Sequence, residues 1–333
     1  MVSGIAVELS IVIVNWNSQE HLKNCLASIA AHAGRLEPEV VVIDSGSFDG
    51  SDRMMAEHYP QMRFIQSSTN LGFAKANNRA FEATSGEAVL FLNPDTELVG
   101  PALEILLAAL TSRPDAGLVG CRLLDSDGTV QSTCIQSIPT ILNQLLGSDL
   151  LRRRWPRSRL WGMAALYDDR PGPHEVEAVS GACVLVRRQV FTKVGRFSED
   201  YFMYAEDMDL SYKVRQAGYR NYYVPSATVT HHGGSSSDQA ASAFAAVMMR
   251  EAIWRFLRKT RGDAYALGYR IAMLCAATGR LGLLAASRIG GRNGASRRAS
   301  WQKWVAVLRW GVRRDAIVNR YYPLSNRPAA ETF

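Results

Sequence analysis

Short apolar runs alternate with segments of helical periodicity through the first 100 residues of the chain. The apolar runs end in polar turn residues, which predicts strands at 9–14, 39–43, 63–66 and 88–92. The segments between them predict helices at 20–31, at 50–58 and from Asn70 to about residue 84. This alternation predicts an α/β fold, Rossmann-like, with a mostly parallel sheet and helices on both faces.

The pattern is less regular in the middle of the chain. The predicted elements there are helices at 101–112, 188–194 and 206–217 and strands at 117–124, 177–186 and 219–225. Residues 125–128 read as a hairpin turn, and Gly181 lies inside a predicted strand, where a glycine often allows close approach. Residues 136–173 are irregular, basic and aromatic, which is typical either of a mobile lid or of a solvated excursion.

The last part of the chain is helical and basic. We predict two domains, an α/β domain at 1–238 and a basic amphipathic helical region at 239–333. The apolar run at 264–286 is interrupted by Arg270 and Arg280, so it is too short for the roughly 20 residues that span a bilayer. Such a Trp-rich, basic segment fits an anionic membrane surface; the alternative is a helical pair that packs on the α/β domain or on a second subunit in a homodimer.

Charge and cysteine content narrow the class of protein. Residues 250–333 hold 17 Lys and Arg against 4 Asp and Glu, a net charge of +13, so the first 249 residues carry −6 of the total of +7. A basic tail on an acidic body indicates a polyanionic partner, either nucleic acid or an anionic membrane. Five scattered cysteines without a CxxC pair exclude a disulfide scaffold and a thiolate zinc site, and they favour a reducing cytoplasm. We expect no signal peptide.

Polar residues follow three of the predicted strands. They lie at Asn15–Asn17, at Asp44–Ser47 and at Asn93–Asp95. The carboxyl ends of strands in an open α/β sheet form the ligand crevice, so the three ends predict a nucleotide site. The chain has neither GxGxxG nor GxxxxGK[ST], which disfavours a dinucleotide Rossmann site and a P-loop.

The Asn93-Pro94-Asp95 turn has two interpretations. Proline fixes its own φ and pushes Asn93 toward an extended conformation, which makes the turn a rigid strand tip. A carboxylate on that tip could bind a hard cation such as Mg²⁺ or Mn²⁺ on a phosphate. Alternatively, Asp95 caps the helix that is predicted to start near Pro101.

Acidic and histidine residues later in the chain add further candidates. Glu206 and Asp207 lie in the first turn of a predicted helix, where the helix dipole alone favours carboxylates. Nearby aromatic residues could instead desolvate them and raise their pKa toward that of a general base. Of the neighbours His231 and His232, we expect at most one to reach a given site, because adjacent side chains of an extended run point to opposite faces.

The ordered set of motifs resembles the family 2 glycosyltransferases with the GT-A fold. The matching motifs are VNWN at 14–17, DSGSxDGS at 44–51, NxGFxxxN at 70–77, LNPD at 92–95, SGA at 180–182, EDxDL at 206–210 and HHGG at 231–234. Within this family the chain is most similar to the bacterial rhamnosyltransferase-like branch, which often has Asn-Pro-Asp where other members have Asp-x-Asp. The match covers about residues 8–236.

The resemblance implies a chemistry and a place in the cell. It implies inverting transfer by a hexosyltransferase from a nucleotide-diphosphate sugar, L-rhamnose or a related deoxysugar linked to dTDP or UDP, with Mg²⁺ or Mn²⁺ on the diphosphate. The acceptor would be a hydroxyl of a lipid-linked glycan in cell-surface polysaccharide synthesis, and the enzyme would be cytoplasmic and peripheral at the inner membrane face. We expect no nucleic-acid partner. The alternatives are a metal-dependent nucleotidyltransferase and a nucleic-acid-binding protein that uses the basic tail.

The resemblance also implies roles for individual residues. Asp207 would be the general base, supported by Glu206, and Asp95 and His231 would be metal ligands. An aromatic approach of Phe197, Tyr201 and Tyr204 would suit a sugar acceptor. The residues that would line the nucleotide-sugar pocket are Asn15, Trp16 (stacked on the base), Asn17, Asp44 (near the base or ribose), Ser45, Asn70, Gly72, Asn77, Asn93 and Gly181. Two positions depart from the family pattern: Ser45 stands where Asn or Asp is usual, and Asn93 replaces the first acid of Asp-x-Asp.

Overall fold

A computed structural model describes residues 8–233, 243–286, 294–313 and 316–321. The chain divides into two compact units. The first comprises residues 1–138, 149–199 and 206–233, and the second comprises 139–148, 200–205 and 234–333. The short segments 139–148 and 200–205 therefore group with the C-terminal helices, although they lie far from them in sequence. The predicted domain boundary at residue 238 lies outside the described residues.

A nine-stranded sheet forms the centre of the first unit, in the order β3-β2-β1-β4-β10-β6-β11-β5, with β8 paired to β11. The strands of this sheet are β1 (Leu9–Asn15), β2 (Glu39–Ser45), β3 (Arg63–Ser67), β4 (Ala88–Leu92), β5 (Thr96–Val99), β6 (Ala116–Leu124), β8 (His174–Val176), β10 (Cys183–Arg187) and β11 (Arg220–His231). The strands β7 (Ile135–Gln136) and β9 (Ala178–Val179) form a separate antiparallel pair. The sheet confirms the predicted α/β class: β1 to β4 are parallel, whereas β10 is antiparallel to both of its neighbours.

Helices cover the sheet. Those of the first unit are α1 (Gln19–His32), α2 (Ser51–His58), α3 (Phe73–Phe81), α4 (Ala102–Thr111), α6 (Asp149–Arg154), α7 (Arg188–Lys193) and α8 (Glu206–Gln216), with a 3₁₀ turn at Ala164–Tyr167. Consecutive residues of β1 from Ile11 to Ile13, and all of β4, are buried. Because successive side chains of a strand point to opposite faces, this burial means that both faces of the sheet are covered, as predicted.

The sequence pattern was wrong about the segment 177–186. It is not one strand: β9 ends at Val179, and β10 begins at Cys183. Gly181 therefore lies in a turn, where its N–H donates to the Asp207 side chain, 3.0 Å from Oδ2. The Gly181 N–H therefore donates to a side chain and not to a carbonyl of a neighbouring strand. An apolar sequence pattern does not reveal such an alternative partner.

The last strand is longer than predicted. β11 continues to His231, with an irregularity in its pairing to β6 between Val224 and Thr228. Pro225 lies within this irregularity, and proline has no N–H to donate to a neighbouring strand. Beyond it, β11 pairs antiparallel with β5, and this pairing brings residues 228–231 beside residues 96–99.

The irregular segment 136–173 begins at the last residue of β7 and contains α6, the 3₁₀ turn and one helix of the second unit, α5 (Ile141–Leu145). Thr140 begins α5 with a capping box, in which its hydroxyl accepts from Asn143 N–H and Asn143 Oδ1 accepts from Thr140 N–H. The lid and the solvated excursion both stay predictions for this segment.

Three long helices are described in the second unit. The described helices after α5 are α9 (Ala243–Arg261), α10 (Asp263–Ala286), α11 (Gly294–Gly311) and the short α12 (Ala316–Tyr321). The buried Glu251 carboxylate joins the three long helices: it accepts from Trp310 Nε1 at 2.9 Å and pairs with Arg255 at 3.0 Å and Arg270 at 3.5 Å. Arg270 also lies 4.7 Å from the ring centroids of Trp254 and Trp310. Among the described helices, none has a stretch that is long and apolar enough to cross a membrane.

Candidate functional site

The ends of β1 and β2 are joined by a buried polar network. Asn15 Nδ2 donates to Asp44 Oδ2 at 2.8 Å and also lies 2.9 Å from the Ser51 hydroxyl. Asp44 Oδ1 accepts from Gln66 Nε2 at 2.8 Å and from Ser47 N–H at 2.8 Å. Asn15 and Asp44 are fully buried. Both residues therefore hold the shape of the strand ends, and any contact of Asp44 with a ligand would use an oxygen that already has protein partners.

Asn17 and the exposed aromatic residues lie on the loops that follow this network. Asn17 has a φ of 48°, and its Oδ1 accepts from Phe48 N–H at 2.9 Å, which ties the two loops together. Trp16 is 48% exposed and Phe48 is 87% exposed. Both are available to a planar ligand. Phe48 is not among the candidate residues predicted from the sequence, because a lone aromatic residue in a polar turn does not stand out.

Ser45, at the end of β2, is joined to the loop at 70–72. Its hydroxyl accepts from Leu71 N–H at 2.8 Å and lies 3.4 Å from Asn70 Oδ1. Asn70 Oδ1 also accepts from Gly72 N–H at 2.9 Å, and Gly72 precedes α3 with a φ of 73°, which favours glycine. Asn77 is buried and donates to Phe73 O within α3, so its amide stabilises the helix.

The Asn93-Pro94-Asp95 turn does not cap a helix. Residues 96–99 form β5, and α4 begins after Pro101 without a side-chain cap. The turn instead packs beside the loop before β10, where Asn93 N–H donates to Ala182 O at 2.9 Å. The cap interpretation is therefore wrong, because the chain turns into an edge strand before it enters the helix.

Asp95 lies next to His231. Strand pairing places Thr96 opposite His231, and His231 Nε2 lies 3.4 Å from Asp95 Oδ1. Burial alone would raise the pKa of Asp95, but the hydrogen bond and charge of His231 outweigh it and hold that pKa below its usual value. His232, the residue after β11, turns away from Asp95, and its Nε2 lies 2.8 Å from Glu97 Oε1.

Asp207 is held against the turn that carries Gly181. Its carboxylate accepts from Gly181 N–H at 3.0 Å and from Met208 N–H at 2.8 Å. Burial nevertheless raises the pKa of Asp207 above the ordinary value of 3.8, although these two N–H groups oppose the rise. A Cβ on Gly181 would lie only 3.1 Å from Asp207 Cβ, so the glycine allows the close approach.

Glu206 is a buried carboxyl residue, and the two residues before it have unusual backbone conformations. Glu206 is 7% exposed at the start of α8. Tyr204 and Ala205 have φ values of 68° and 62°, in a region that residues other than glycine rarely adopt. Strained backbone of this kind is common where a structure fixes functional side chains.

The predicted aromatic approach is wrong for two of its three residues, Phe197 and Tyr201, because both are buried. Phe197 is buried, with its ring 4.9 Å from Phe91 and 5.3 Å from Phe191. It belongs to the core because β4 and α7 place two phenylalanines beside it, and spacing along the chain cannot reveal such a cluster. Tyr201 is also buried.

The two groups of candidates meet at one loop. The Asn93-Pro94-Asp95 turn contacts Ala182 on one side, and Asp207 contacts Gly181 beside it. Among the described residues there is no cluster of three or more His, Cys, Asp and Glu side chains that could hold a metal ion. Asp95 and His231 nevertheless offer a hard oxygen and an imidazole nitrogen to the same point, a donor pair that suits Mn²⁺ or Mg²⁺ if phosphate and water complete the shell.

Comparison with known proteins gives relatives for most of this region. Residues 10–195 match the family model for glycosyl transferase family 2. An N-acetylglucosaminyl-diphospho-decaprenol L-rhamnosyltransferase from Mycobacterium tuberculosis is 34% identical over 241 residues, which cover 69% of this chain and 77% of the relative. Rhamnosyltransferase WbbL from Escherichia coli strain K12 is 24% identical over 232 residues, which cover 67% of this chain and 82% of the relative.

Solved structures share the fold. A mannosyltransferase from Pyrobaculum calidifontis, solved with GDP-Man and Mn²⁺, superposes with a TM-score of 0.56 at 18% identity, over 93% of this chain and 88% of that one. GalNAc-T7, solved with UDP, GalNAc and Mn²⁺, gives a TM-score of 0.55 at 15% identity, over 97% of this chain and 59% of that one. These likenesses confirm the predicted GT-A fold, and at such low identity they show the fold alone.

Proposed function

The chain belongs to glycosyl transferase family 2, and we propose that it transfers L-rhamnose or a related deoxysugar from a dTDP- or UDP-linked donor to a hydroxyl of a lipid-linked glycan. Family membership makes it a glycosyltransferase and removes the nucleotidyltransferase alternative. The activity for which the mycobacterial relative is named supports the sugar and the lipid-linked acceptor. The observation that carries the mechanism is the position of Asp207 and of the Asp95–His231 pair on either side of the 180–182 turn.

Asp207 acts as the general base in this proposal. Its carboxylate is oriented by two backbone N–H groups and is partly buried, which keeps its pKa above that of an exposed aspartate. It takes the proton of the acceptor hydroxyl as the oxygen attacks the anomeric carbon, and the nucleoside diphosphate leaves from the opposite face. A single displacement of this kind inverts the anomeric centre. Glu206 supports Asp207 from the same helical turn.

The strand ends hold the nucleotide part of the donor. Trp16 stacks on the base, and Phe48 is exposed on the neighbouring loop. Asn15, Asn17, Asp44 and Ser45 shape these loops through the hydrogen bonds described above. The remaining residues proposed to line the donor pocket are Asn70, Gly72, Asn77, Asn93 and Gly181.

Asp95 and His231 are the residues that would hold a divalent cation, Mg²⁺ or Mn²⁺, in this proposal. When bound, the cation would neutralise the negative charge that develops on the departing diphosphate. The low pKa of Asp95 keeps this ligand ionised at neutral pH.

A thermal-shift screen of nucleotide sugars, with and without Mn²⁺, tests the donor proposal. A ligand that binds the folded state raises the melting temperature by mass action. We expect a selective rise with the dTDP- or UDP-linked deoxysugar that is larger when Mn²⁺ is present. Equal shifts for all nucleotide sugars, or no effect of Mn²⁺, would contradict the donor or the metal part of the proposal.

We also propose that the second unit attaches the enzyme to an anionic membrane surface. Of the tryptophans in this unit, Trp310 is buried and Trp254 stacks on Arg270, whereas Trp301 is 37% exposed. Further exposed apolar side chains lie on two helices that pack together through Ile141 N–H and the Tyr265 hydroxyl. This leucine surface comprises Leu142, Leu145 and Leu146 on or just after α5 and Leu267 and Ile271 on α10.

Charge favours lipid as the partner of the leucine surface. Residues 243–286 and 294–313 hold 12 Lys and Arg against 2 Asp and Glu. Both acids are already paired, Glu251 with Arg255 at 3.0 Å and Asp263 with Arg258 at 2.6 Å. The described helices therefore present a strong positive charge, which attracts anionic head groups, next to leucines that can enter the acyl boundary.

Co-sedimentation with vesicles tests the leucine surface. We expect the protein to bind vesicles that contain phosphatidylglycerol and not vesicles of phosphatidylcholine alone. The double variant Leu267→Glu, Ile271→Glu should lose this binding, whereas Leu150→Glu, at a leucine of the first unit that is at least as exposed, should retain it. Equal binding by both variants would place the membrane contact elsewhere.

A further inference from the structure

The Gln131 side chain contacts both His231 and the carboxylate of Asp125, and Asp125 and Gln131 lie at the two ends of the hairpin 125–131. Its Nε2 donates to Asp125 Oδ1 at 2.8 Å and to His231 O at 2.8 Å. Its Oε1 lies 3.0 Å from His231 Nδ1. The backbone of Gln131 is anchored as well, because its N–H donates to Leu123 O at 2.9 Å. The side chain therefore contacts both the backbone and the ring of His231.

These contacts allow one orientation of the Gln131 amide. Both partners of Nε2 are oxygen atoms that can only accept hydrogen bonds. A flipped amide would place Oε1 against a carboxylate and a carbonyl and would lose both bonds. Oε1 must therefore face the His231 ring. Because an amide oxygen can only accept, the proton of the neutral imidazole lies on Nδ1.

A proton on Nδ1 leaves a lone pair on Nε2 of the neutral ring. That atom faces Asp95 Oδ1 at 3.4 Å, and a carboxylate oxygen is also an acceptor. A divalent cation between these two atoms can bind both of them through their lone pairs. The geometry therefore makes Nε2 the ring atom that can bind a cation together with Asp95.

We propose that Gln131 is a positioning residue, which holds His231 in the Nδ1–H tautomer so that its Nε2 lone pair and Asp95 face the same divalent cation. This inference rests on the metal role given to Asp95 and His231 in the proposed function. Gln131 itself does not touch the cation. The partner of a ligating histidine is what fixes its ring and tautomer, and loss of such a partner typically weakens metal binding by about 10- to 100-fold.

The tautomer can be measured without metal. Long-range ¹H–¹⁵N NMR of the full-length protein separates the two ring nitrogens, and the spectrum contains six histidines, so His231→Ala identifies the signal of interest. We expect an Nδ1–H tautomer for His231 in the wild type and a loss of that preference in Gln131→Met, which keeps the length of the side chain and removes its polar atoms. An Nε2–H tautomer in the wild type would overturn the inference.

Titration with Mn²⁺ in the presence of UDP measures the effect of Gln131 on metal binding. Gln131→Met should weaken Mn²⁺ binding by about 10-fold. The double variant Gln131→Met, His231→Ala should bind no more weakly than His231→Ala alone, because the glutamine acts through the histidine. Gln144→Met, which also loses a side-chain amide, is the matched control and should bind as the wild type does.

The outcomes separate this inference from the proposed function. If His231→Ala weakens Mn²⁺ binding and Gln131→Met does not, the positioning role is wrong and the metal role stands. If neither Asp95→Ala nor His231→Ala weakens Mn²⁺ binding, the metal role fails and the inference fails with it. Gln131→Glu is a further check: its carboxylate can accept from Nδ1–H but repels Asp125, so it should restore the tautomer only in part.

Discussion

At the scale of single residues, the setting of Asp207 combines two opposing effects. Burial raises its pKa, and two backbone N–H groups lower it without cancelling the rise. A carboxyl whose folded pKa is raised binds protons more tightly in the folded state than in the unfolded state. Stability therefore falls as the pH rises through the interval between the unfolded pKa and the folded pKa, and above that interval the ionised carboxylate destabilises the fold.

Asp207→Asn should separate activity from stability. We expect transfer to fall by about 10²- to 10⁴-fold, the usual contribution of a general base, while donor binding changes little. The melting temperature at pH 7 should change little, because the loss of the destabilising charge is offset by the loss of one of the two backbone hydrogen bonds, which the amide nitrogen of Asn cannot accept. Steady-state kinetics, donor titration and thermal melts of the same preparation measure the three quantities. Retained turnover would exclude Asp207 as the base.

The pH dependence of the wild type gives an independent check on Asp207. The base must be ionised, so activity should fall as the pH drops through its folded pKa. Because that pKa is raised, the acidic limb of kcat should lie above pH 3.8, the ordinary value for an aspartate. An acidic limb at or below this value would show that a different group acts as the base or that Asp207 is not desolvated.

At the scale of elements, the loops that follow the strands depend on each other. The loop after β2 packs on the loop before α3 at Gly46, which has a φ of 80°. A Cβ at this position would meet backbone atoms, Thr69 C at 2.9 Å and Asn70 N at 3.1 Å. Backbone atoms cannot move aside as a flexible side chain can, so the glycine is what lets two strand ends of the proposed donor pocket approach each other.

Gly46→Ala should therefore lower the free energy of unfolding by more than the strain of a positive φ alone would. Gly128 is a matched control, because its φ is 82° and nothing lies within 4 Å of the position that a Cβ would take there. We expect Gly128→Ala to lower the free energy of unfolding by about 1 kcal/mol, the lower end for a residue in the left-handed region. Gly46→Ala should lower it by more and should also weaken donor binding, as measured by urea denaturation and nucleotide titration. Equal losses in the two variants would mean that the loops do not depend on this contact.

At the scale of the whole molecule, four of the five cysteines are part of the core. Cys25, Cys121, Cys134 and Cys183 are buried free thiols, and Cys275 is exposed. Burial raises the pKa of Cys25 to about 12 and that of Cys134 to about 11, against hydrogen bonds that lower both. Because the thiolate is the reactive form, these thiols should react slowly for two reasons: they are rarely ionised, and burial keeps reagents from reaching them.

Thiol labelling at pH 8 tests the packing of the whole chain. The native protein should react rapidly with one equivalent of a thiol reagent, and Cys275→Ser should abolish that fast phase. After denaturation in urea, the wild type should react with five equivalents and the variant with four. Several fast-reacting thiols in the native protein would contradict the buried positions of the other four.

The sequence by itself determined the α/β class, the positions of the main strands and the polar residues at three strand ends. These features are local, because an apolar run and the turn that ends it are set by neighbouring residues. The same reasoning failed at 177–186, where the Gly181 N–H donates to Asp207 on the distant helix α8. It also failed at Phe197, which packs with Phe91 and Phe191.

The tertiary structure alone decided which of these residues meet. The antiparallel pairing of β5 with β11 places His231 opposite Thr96, and His231 thereby reaches Asp95 while His232 faces Glu97. The hairpin after β6 then brings Gln131 to the other side of the same imidazole. Strand order and register set these contacts between residues far apart in the chain, and neither can be read from the residues next to each one.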